Sequence, residues 1–165
     1  MEKLTRLFQE MVAYDSPVTK RIAHTLKVHN WARMIALREG VDEQTQLIIE
    51  AAALVHDIGI KASLAKYNSS EGPLQEKEGM PLATELLTRS GFDDEVVQRV
   101  AFLVGHHHTY NQIDGIDYQI LIESDFLVNL EEKNIPLDSI ENVKSTIFKT
   151  PSGLLFLNQL FGLND

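Results

Sequence analysis

Residues 43–60 read EQTQLIIEAAALVHDIGI, and this stretch decides how the chain folds. Its second half is apolar on all sides, a pattern typical of a helix buried at the centre of a protein. We expect Asp42 to cap the start of this helix and Gly59 to end it. Two ionisable residues, His56 and Asp57, nevertheless stand in the apolar segment. A partner for their charge must therefore lie nearby.

Helical periodicity extends over nearly the whole chain, and no strand-like alternation exceeds a few residues. The polar stretch 61–79 carries Asn-Ser-Ser and Gly-Pro turn signals, so we predict a long surface loop there. The predicted fold class is all-α, with residues 1–165 forming one domain. Beyond the central segment, helices are predicted at about residues 17–39, 80–89, 93–107 and 118–133, with shorter helices starting at Pro136 and Pro151.

Composition narrows the possible partners. The formal net charge is −9, with 15 Lys and Arg among 24 Asp and Glu, which argues against binding of duplex nucleic acid. A small phosphorylated ligand stays compatible, because a bound cation and a few local basic groups can override the distant field. The absence of cysteine excludes disulfides, thiol nucleophiles and Cys-based zinc sites. The opening MEKLTRLFQEMV is unlike a secretory signal and no apolar run reaches membrane-spanning length, so we expect a cytoplasmic protein without membrane contact.

Polar residues on core-facing helix sides are the strongest functional signal. His29 shares a helical face with Ile22, Leu26 and Ala32, and Asp125 lies among apolar residues of a later helix. One inward histidine is more often a hydrogen-bonded core residue than a ligand. A buried carboxylate, however, needs a cation or a hydrogen-bond network. Two such carboxylates and two such histidines suggest one shared partner.

A divalent metal is the most economical partner. Arg33 is the nearest basic residue, and no Lys or Arg clearly shares the faces of the two carboxylates. Two imidazoles with two carboxylates suit Mn, Fe, Co, Ni or Zn better than Mg or Ca, which prefer oxygen ligands alone. The predicted metal ligands are His29, His56, Asp57 and Asp125.

These residues resemble the H…HD…D signature of the HD superfamily of metal-dependent phosphohydrolases, over about residues 14–132. The resemblance rests on His29 in HTLKVHNWA, His56-Asp57 in LVHDIG and Asp125 in ESDFLVNL. It implies a helical bundle with one or two divalent metals. It also implies hydrolysis of phosphate esters, typically of nucleotides, by a metal-activated water.

Further candidates surround this signature. Consecutive helical residues differ by about 100° in direction, so we expect only one of the three histidines 106–108 to point inward, and we choose His107. Asp57, His107 and Glu78 are the candidate catalytic groups, although a solvated Glu78 is the alternative. The candidates for binding substrate phosphate are Lys61, His106 and His108. His24 is expected to be structural or exposed, since it lies five residues from His29.

One metal is favoured over two. Members of the family with two metals carry an additional histidine after the HD doublet, where this chain has Glu78 and Gly79. The segment IGIK after the doublet also lacks the acidic groups of the guanosine polyphosphate hydrolases and the 5′-deoxynucleotidases. The leading prediction is a phosphohydrolase acting on a nucleotide or another small phosphorylated metabolite. The alternative is a non-catalytic nucleotide-binding module that signals by oligomerising or by docking a partner, and the apolar stretch SGLLFLNQLFGL would suit such an interface.

Overall fold

The computed structural model describes residues 2–164, which form nine α-helices and no strand. The all-α prediction is confirmed. Within the described residues, no helix is long and apolar enough to cross a membrane. The helices are α1 (Glu2–Asp15), α2 (Thr19–Glu39), α3 (Glu43–Val55), α4 (Gly59–Tyr67), α5 (Gly72–Arg89), α6 (Asp94–Val104), α7 (Ile116–Glu132), α8 (Leu137–Thr146) and α9 (Pro151–Phe161).

Helix α3 lies at the centre of the bundle, as its sequence predicts. All eight residues from 48 to 55 are buried, and the helix packs against α1, α2, α6 and α7. Asp42 caps it as expected, since its Oδ1 accepts a hydrogen bond from the Thr45 backbone amide at 2.9 Å. Helices α2 and α7 also pack on each other. Helices α2, α3 and α7 thus all pack on one another.

The predicted surface loop over residues 61–79 is wrong. Helix α4 begins at Gly59 and continues to Tyr67, and α5 begins at Gly72, so only residues 68–71 connect the two. The turn signals mark this short connection, in which Asn68 takes a left-handed conformation with φ of 51°. Pro73 fits the first turn of α5, where its missing amide hydrogen is not needed. The polar residues cover the exposed sides of two helices that pack together.

Helix α6 ends at Val104, three residues earlier than predicted, and residues 105–108 form a turn. Side chains of the neighbouring helices hold this turn. The backbone amide of His108 and the Thr109 hydroxyl both donate to Glu76 Oε1, at 3.0 and 3.1 Å. The hydroxyl of Tyr118 donates to the backbone carbonyl of His106. These contacts replace the helical hydrogen bonds that the periodicity led us to expect.

Gly59 permits α4 to cross α5 at very short range. A Cβ atom at this position would lie 2.2 Å from the carbonyl oxygen of Gln75 and 2.7 Å from the amide nitrogen of Gly79. Both atoms belong to the backbone and cannot move aside. The glycine that follows the His56-Asp57 doublet is therefore required by packing.

Replacement of Gly59 by alanine is expected to lower the free energy of unfolding by about 1–3 kcal/mol, because the new methyl group meets the backbone of α5. The comparison variant is Gly79→Ala, whose Cβ would meet the methyl group Cγ1 of Val104 at 2.9 Å, a side chain that can shift. Urea denaturation should therefore show a larger loss for Gly59→Ala. Equal stability of Gly59→Ala and the wild type would contradict the close crossing.

Candidate metal centre

Five ionisable side chains converge at the C-terminal end of α3. His24 comes from α2, and Asp125 comes from α7. His56 and Asp57 lie in the turn that follows α3, and His107 lies in the turn that follows α6. The elements that carry them all pack around α3, so the folding of the bundle itself assembles the cluster.

The distances within the cluster are short. His24 Nε2 lies 3.2 Å from Asp125 Oδ1 and 3.4 Å from Asp57 Oδ2. His56 Nε2 is 3.4 Å from Asp57 Oδ2 and 3.6 Å from Asp125 Oδ1. His107 Nε2 approaches the other oxygen of Asp57, Oδ1, at 3.4 Å. Asp57 therefore lies between two groups of imidazoles.

Hydrogen bonds at the other ring nitrogen orient each imidazole. His56 Nδ1 donates to the carbonyl oxygen of Ala53 and His107 Nδ1 donates to that of Val104, both at 2.8 Å. His24 Nδ1 lies 3.0 Å from Glu132 Oε2. Carbonyl oxygens and ionised carboxylates only accept hydrogen bonds, so Nδ1 carries the proton in all three rings. A neutral ring with this tautomer presents the lone pair of Nε2 to the cluster.

The donor set fits a metal ion. The Nε2 atoms of His56 and His107 are buried and have no hydrogen-bond partner. Each faces a carboxylate oxygen, so two acceptors meet unless a proton or a cation lies between them. His24, His56 and Asp57 offer ligand atoms that all lie within 4.8 Å of one another, and so do Asp57, His107 and His108. Mixed nitrogen and oxygen donors of this kind suit transition metals such as Mn, Fe, Co, Ni and Zn.

Electrostatics within the cluster favour the charged forms of Asp57, Asp125, His56 and His24. Burial works against ionisation of Asp57, but the imidazoles of His56 and His107 outweigh it and hold the Asp57 pKa well below its usual range. Burial is likewise outweighed at Asp125, whose pKa is lowered by the hydrogen bond from His24. For His56, the charge of Asp57 overcomes burial and raises the pKa well above its usual value. The pKa of His24 is also raised, because the hydrogen bond with Asp125 overcomes burial.

The structure brings three of the four predicted metal ligands together, His56, Asp57 and Asp125, and places His29 outside the cluster. His29 Nε2 lies 3.1 Å from Glu50 Oε2, in a separate contact on the side of α2 that faces α3. The expected inward face included Leu26, which is 41% exposed. The buried face of α2 consists of His24, Thr25, Val28, Ala32, Ile35 and Ala36.

His24 was expected to be structural or exposed, and instead it is buried in the cluster. The sequence does contain a signal for it. Val28 and Ala32 follow His24 at four-residue steps, and Ile35 continues the same apolar face. Leu26 misdirected the assignment, because a leucine beside a cleft has the same appearance in sequence as a core leucine.

The predicted inward position of His107 is confirmed, since its side chain is 1% exposed. The expectation that only one of the three histidines faces the site is wrong. Because residues 105–108 form a turn, the helical rule of 100° per residue does not apply, and the His108 ring lies 4.0 Å from the ring of His107. Burial, followed by the influence of His107, lowers the pKa of His108 to about 4. His106 is stacked on Phe102 and its Nδ1 donates to the Phe102 carbonyl oxygen.

Glu78 and Lys61 are engaged in other contacts. Glu78 is buried, not solvated, and its carboxylate accepts hydrogen bonds from Lys66 and from the hydroxyl of Tyr67. Lys61 donates to the backbone carbonyl oxygen of Tyr14 at 2.6 Å. Neither residue belongs to the metal-ligand groups found among residues 2–164.

A cleft of about 270 Å³ leads to the cluster from the side of α2 and α7. His24 and Asp57 lie at its inner end, and 13% of the Asp57 side chain is exposed. Two basic residues, Lys20 and Arg21, also line this cleft. The Nε atom of Arg21 lies 2.8 Å from Oδ1 of the buried Asp15 carboxylate, so these two side chains form an ion pair. The remaining lining residues are Val18, Ile60, Asn129 and Glu132.

Comparison with protein families gives one match. The model of the family described as HD domain matches residues 21–140, nearly three quarters of the chain. This range includes all five residues of the cluster. Comparison with curated proteins and with solved structures gives no match.

The metal-free protein is expected to be most stable between about pH 4 and pH 6.5. The lowered pKa values of Asp57 and Asp125 contribute stability that is present above about pH 4 and is lost as the pH falls toward their folded values. The raised values of His24 and His56 contribute stability that is present below about pH 6.5 and is lost as the pH rises through their folded values. Urea denaturation of metal-stripped protein from pH 3 to pH 9 measures the free energy of unfolding and so tests both the acid and the alkaline limb of its pH dependence.

Asp57→Asn serves as the control, because it removes the central negative charge and should flatten the alkaline limb. Metal-stripped wild-type protein whose stability stays constant or rises from pH 6 to pH 9 would contradict the charge pairing.

Proposed function

Because the chain belongs to the HD domain family, we propose that it is a metal-dependent phosphohydrolase that cleaves a phosphate ester of a small metabolite, with nucleotides as the leading substrate class. One observation carries the proposal. The Nε2 atoms of His56 and His107 have no hydrogen-bond partner and face carboxylate oxygens of Asp57 and Asp125 at 3.4–3.6 Å, beside a cleft that Lys20 and Arg21 also line.

Four residues would hold the metal: His24, His56, Asp57 and Asp125. Each is kept in place by a further contact or by burial. Asn129 Nδ2 donates at 2.7 Å to Asp125 Oδ1, the oxygen that faces His24 and His56, and this contact holds the carboxylate toward the cluster. A divalent cation held by these residues would polarise a phosphoryl oxygen and would lower the pKa of a bound water. We propose that these residues bind a single divalent ion.

His107 and His108 form a second group of donors with Asp57. His108 Nε2 lies 3.0 Å from Gln75 Oε1, and the amide nitrogen of Gln75 donates to the Ser70 carbonyl oxygen. The Gln75 amide therefore directs its oxygen at His108, which donates from Nε2 and is neutral near pH 7. Within the proposed function, His107 and Asp57 are the candidates for holding or moving a proton beside the phosphate.

Lys20 and Arg21 are better placed than Lys61 to bind the phosphate of a substrate. Both line the cleft that ends at His24 and Asp57, whereas Lys61 is hydrogen-bonded to Tyr14. Arg21 is also held in an ion pair with the buried carboxylate of Asp15. A planar guanidinium held in this way suits two phosphate oxygens at once. The local cations would offset the net charge of −9 that otherwise repels an anionic ligand.

His24→Gln is expected to abolish hydrolysis and to weaken metal binding by more than the roughly 10–100-fold that loss of an outer-sphere contact costs. His29→Gln is the matched control, because it changes a histidine of the same helix whose contact is with Glu50. Isothermal titration with Mn²⁺ and Co²⁺ measures affinity. A screen of phosphomonoesters and cyclic nucleotides with Mn²⁺, Co²⁺, Ni²⁺, Zn²⁺ and Mg²⁺ measures turnover.

A larger loss of metal affinity in His29→Gln than in His24→Gln would refute the assignment of His24 as a ligand. Wild-type protein that binds metal and nucleotide tightly but hydrolyses none of the compounds under any metal would favour the non-catalytic nucleotide-binding module. Turnover that survives Asp57→Ala with full metal content would contradict the proposed function itself.

A further inference from the structure

We propose that Glu132 is a positioning residue that fixes His24 as a metal ligand. The inference rests on the metal centre of the proposed function and adds to it a residue outside the set of ligands. Glu132 is the last residue of α7, and it lies seven positions after Asp125, so two helical turns bring it to the same side of the helix. Its carboxylate reaches the outer nitrogen of the His24 ring.

The contact between Glu132 and His24 involves one defined nitrogen of the imidazole ring. Glu132 Oε2 lies 3.0 Å from His24 Nδ1, on the side of the ring opposite to the cluster. On the inner side, Nε2 faces Asp125 and Asp57. Holding a proton on Nδ1 keeps the Nε2 lone pair available for a cation, and it prevents rotation of the ring.

The position of His24 in its helix explains why a side chain is needed here. His56 and His107 follow the ends of helices, where carbonyl oxygens lack helical partners, and each uses such a carbonyl to hold its Nδ1. His24 lies in the interior of α2, where the carbonyl oxygens accept helical hydrogen bonds. An acceptor from another helix must therefore perform the same task, and α7 supplies it.

The carboxylate of Glu132 also differs from a backbone carbonyl in its effect on the His24 ring. Its full negative charge increases the electron-donating strength of the opposite ring nitrogen, as in the carboxylate–histidine–zinc arrangement. Glu132 has a second contact, from its Oε1 to Lys27 Nζ at 3.4 Å, which restricts the carboxylate from the solvent side. The side chain is 22% exposed, so it can be changed without opening the core.

The neighbouring residue provides a matched control. Glu131 also pairs with Lys27, at 3.0 Å, but its side chain is 58% exposed and the contact lies on the surface. Glu131→Gln and Glu132→Gln therefore remove the same charge from adjacent positions with the same basic partner. A difference between them reports the contact with His24, not the general field of the acidic chain.

The experiment is a competition titration of metal-stripped full-length protein with Co²⁺ against a chromophoric chelator. Glu132→Gln keeps a hydrogen-bond acceptor but loses the charge, and we expect its affinity for Co²⁺ to fall by about 10-fold. Glu132→Ala also loses the acceptor, and its affinity should fall by up to about 100-fold. Glu131→Gln should bind as the wild type does. The visible absorption of bound Co²⁺, which reports the coordination geometry, should change in Glu132→Ala and stay unchanged in Glu131→Gln.

Two results would overturn the inference. One is wild-type affinity and absorption in Glu132→Ala, and the other is an equal loss in Glu131→Gln and Glu132→Gln, which would indicate long-range charge alone. The isosteric Glu132→Gln keeps the titration decisive if the alanine variant does not fold. Because the probe is the metal alone, the result is independent of hydrolysis. A wild-type protein that binds Co²⁺ but hydrolyses no phosphate ester would refute the proposed function and leave the role of Glu132 intact.

Discussion

The arrangement of this protein depends on a conflict between hydrogen-bond acceptors. Nε2 atoms of His24, His56 and His107 face carboxylate oxygens of Asp57 and Asp125, while the Nδ1 atoms of the same rings are already engaged as donors. Buried acceptors that face one another are unfavourable without a positive charge between them. Protons can supply that charge, as the raised pKa values of His24 and His56 indicate. A divalent cation supplies it more completely, and its binding releases those protons.

The helices hold the turns that carry these acceptors in fixed positions. Helix α3 is buried along its whole second half, so the turn that carries His56 and Asp57 begins from a fixed point. Gly59 then lets α4 leave that turn directly against α5, and α5 provides Glu76, which holds the turn with His107 and His108. The free carbonyls at the ends of α3 and α6 orient two of the imidazoles. The apolar packing of the bundle and the geometry of the polar cluster are therefore set by the same helix ends.

Much of the fold was predictable from the sequence, because apolar periodicity and capping residues act locally. The central helix, the cap at Asp42 and the inward direction of His107 all follow from such local rules. The predictions failed where contacts between residues distant in sequence decide which helix face is buried or where a helix ends. Leu26 and His29 repeat at a helical step that predicts a buried face, yet they line a surface cleft beside α1 and α3. The early end of α6 depends on Glu76 and Tyr118, which no local pattern connects to residues 105–108.

The central claim concerns which atoms surround the ion, and anomalous scattering from a crystal of Co²⁺- or Mn²⁺-loaded protein tests it most directly. We predict a strong anomalous peak bounded by Nε2 of His24 and His56 and by carboxylate oxygens of Asp57 and Asp125, with Glu132 still in contact with His24 Nδ1. A principal peak between His29 and Glu50 would contradict it. So would the absence of any peak near Asp57 in protein that titration shows to be loaded with metal.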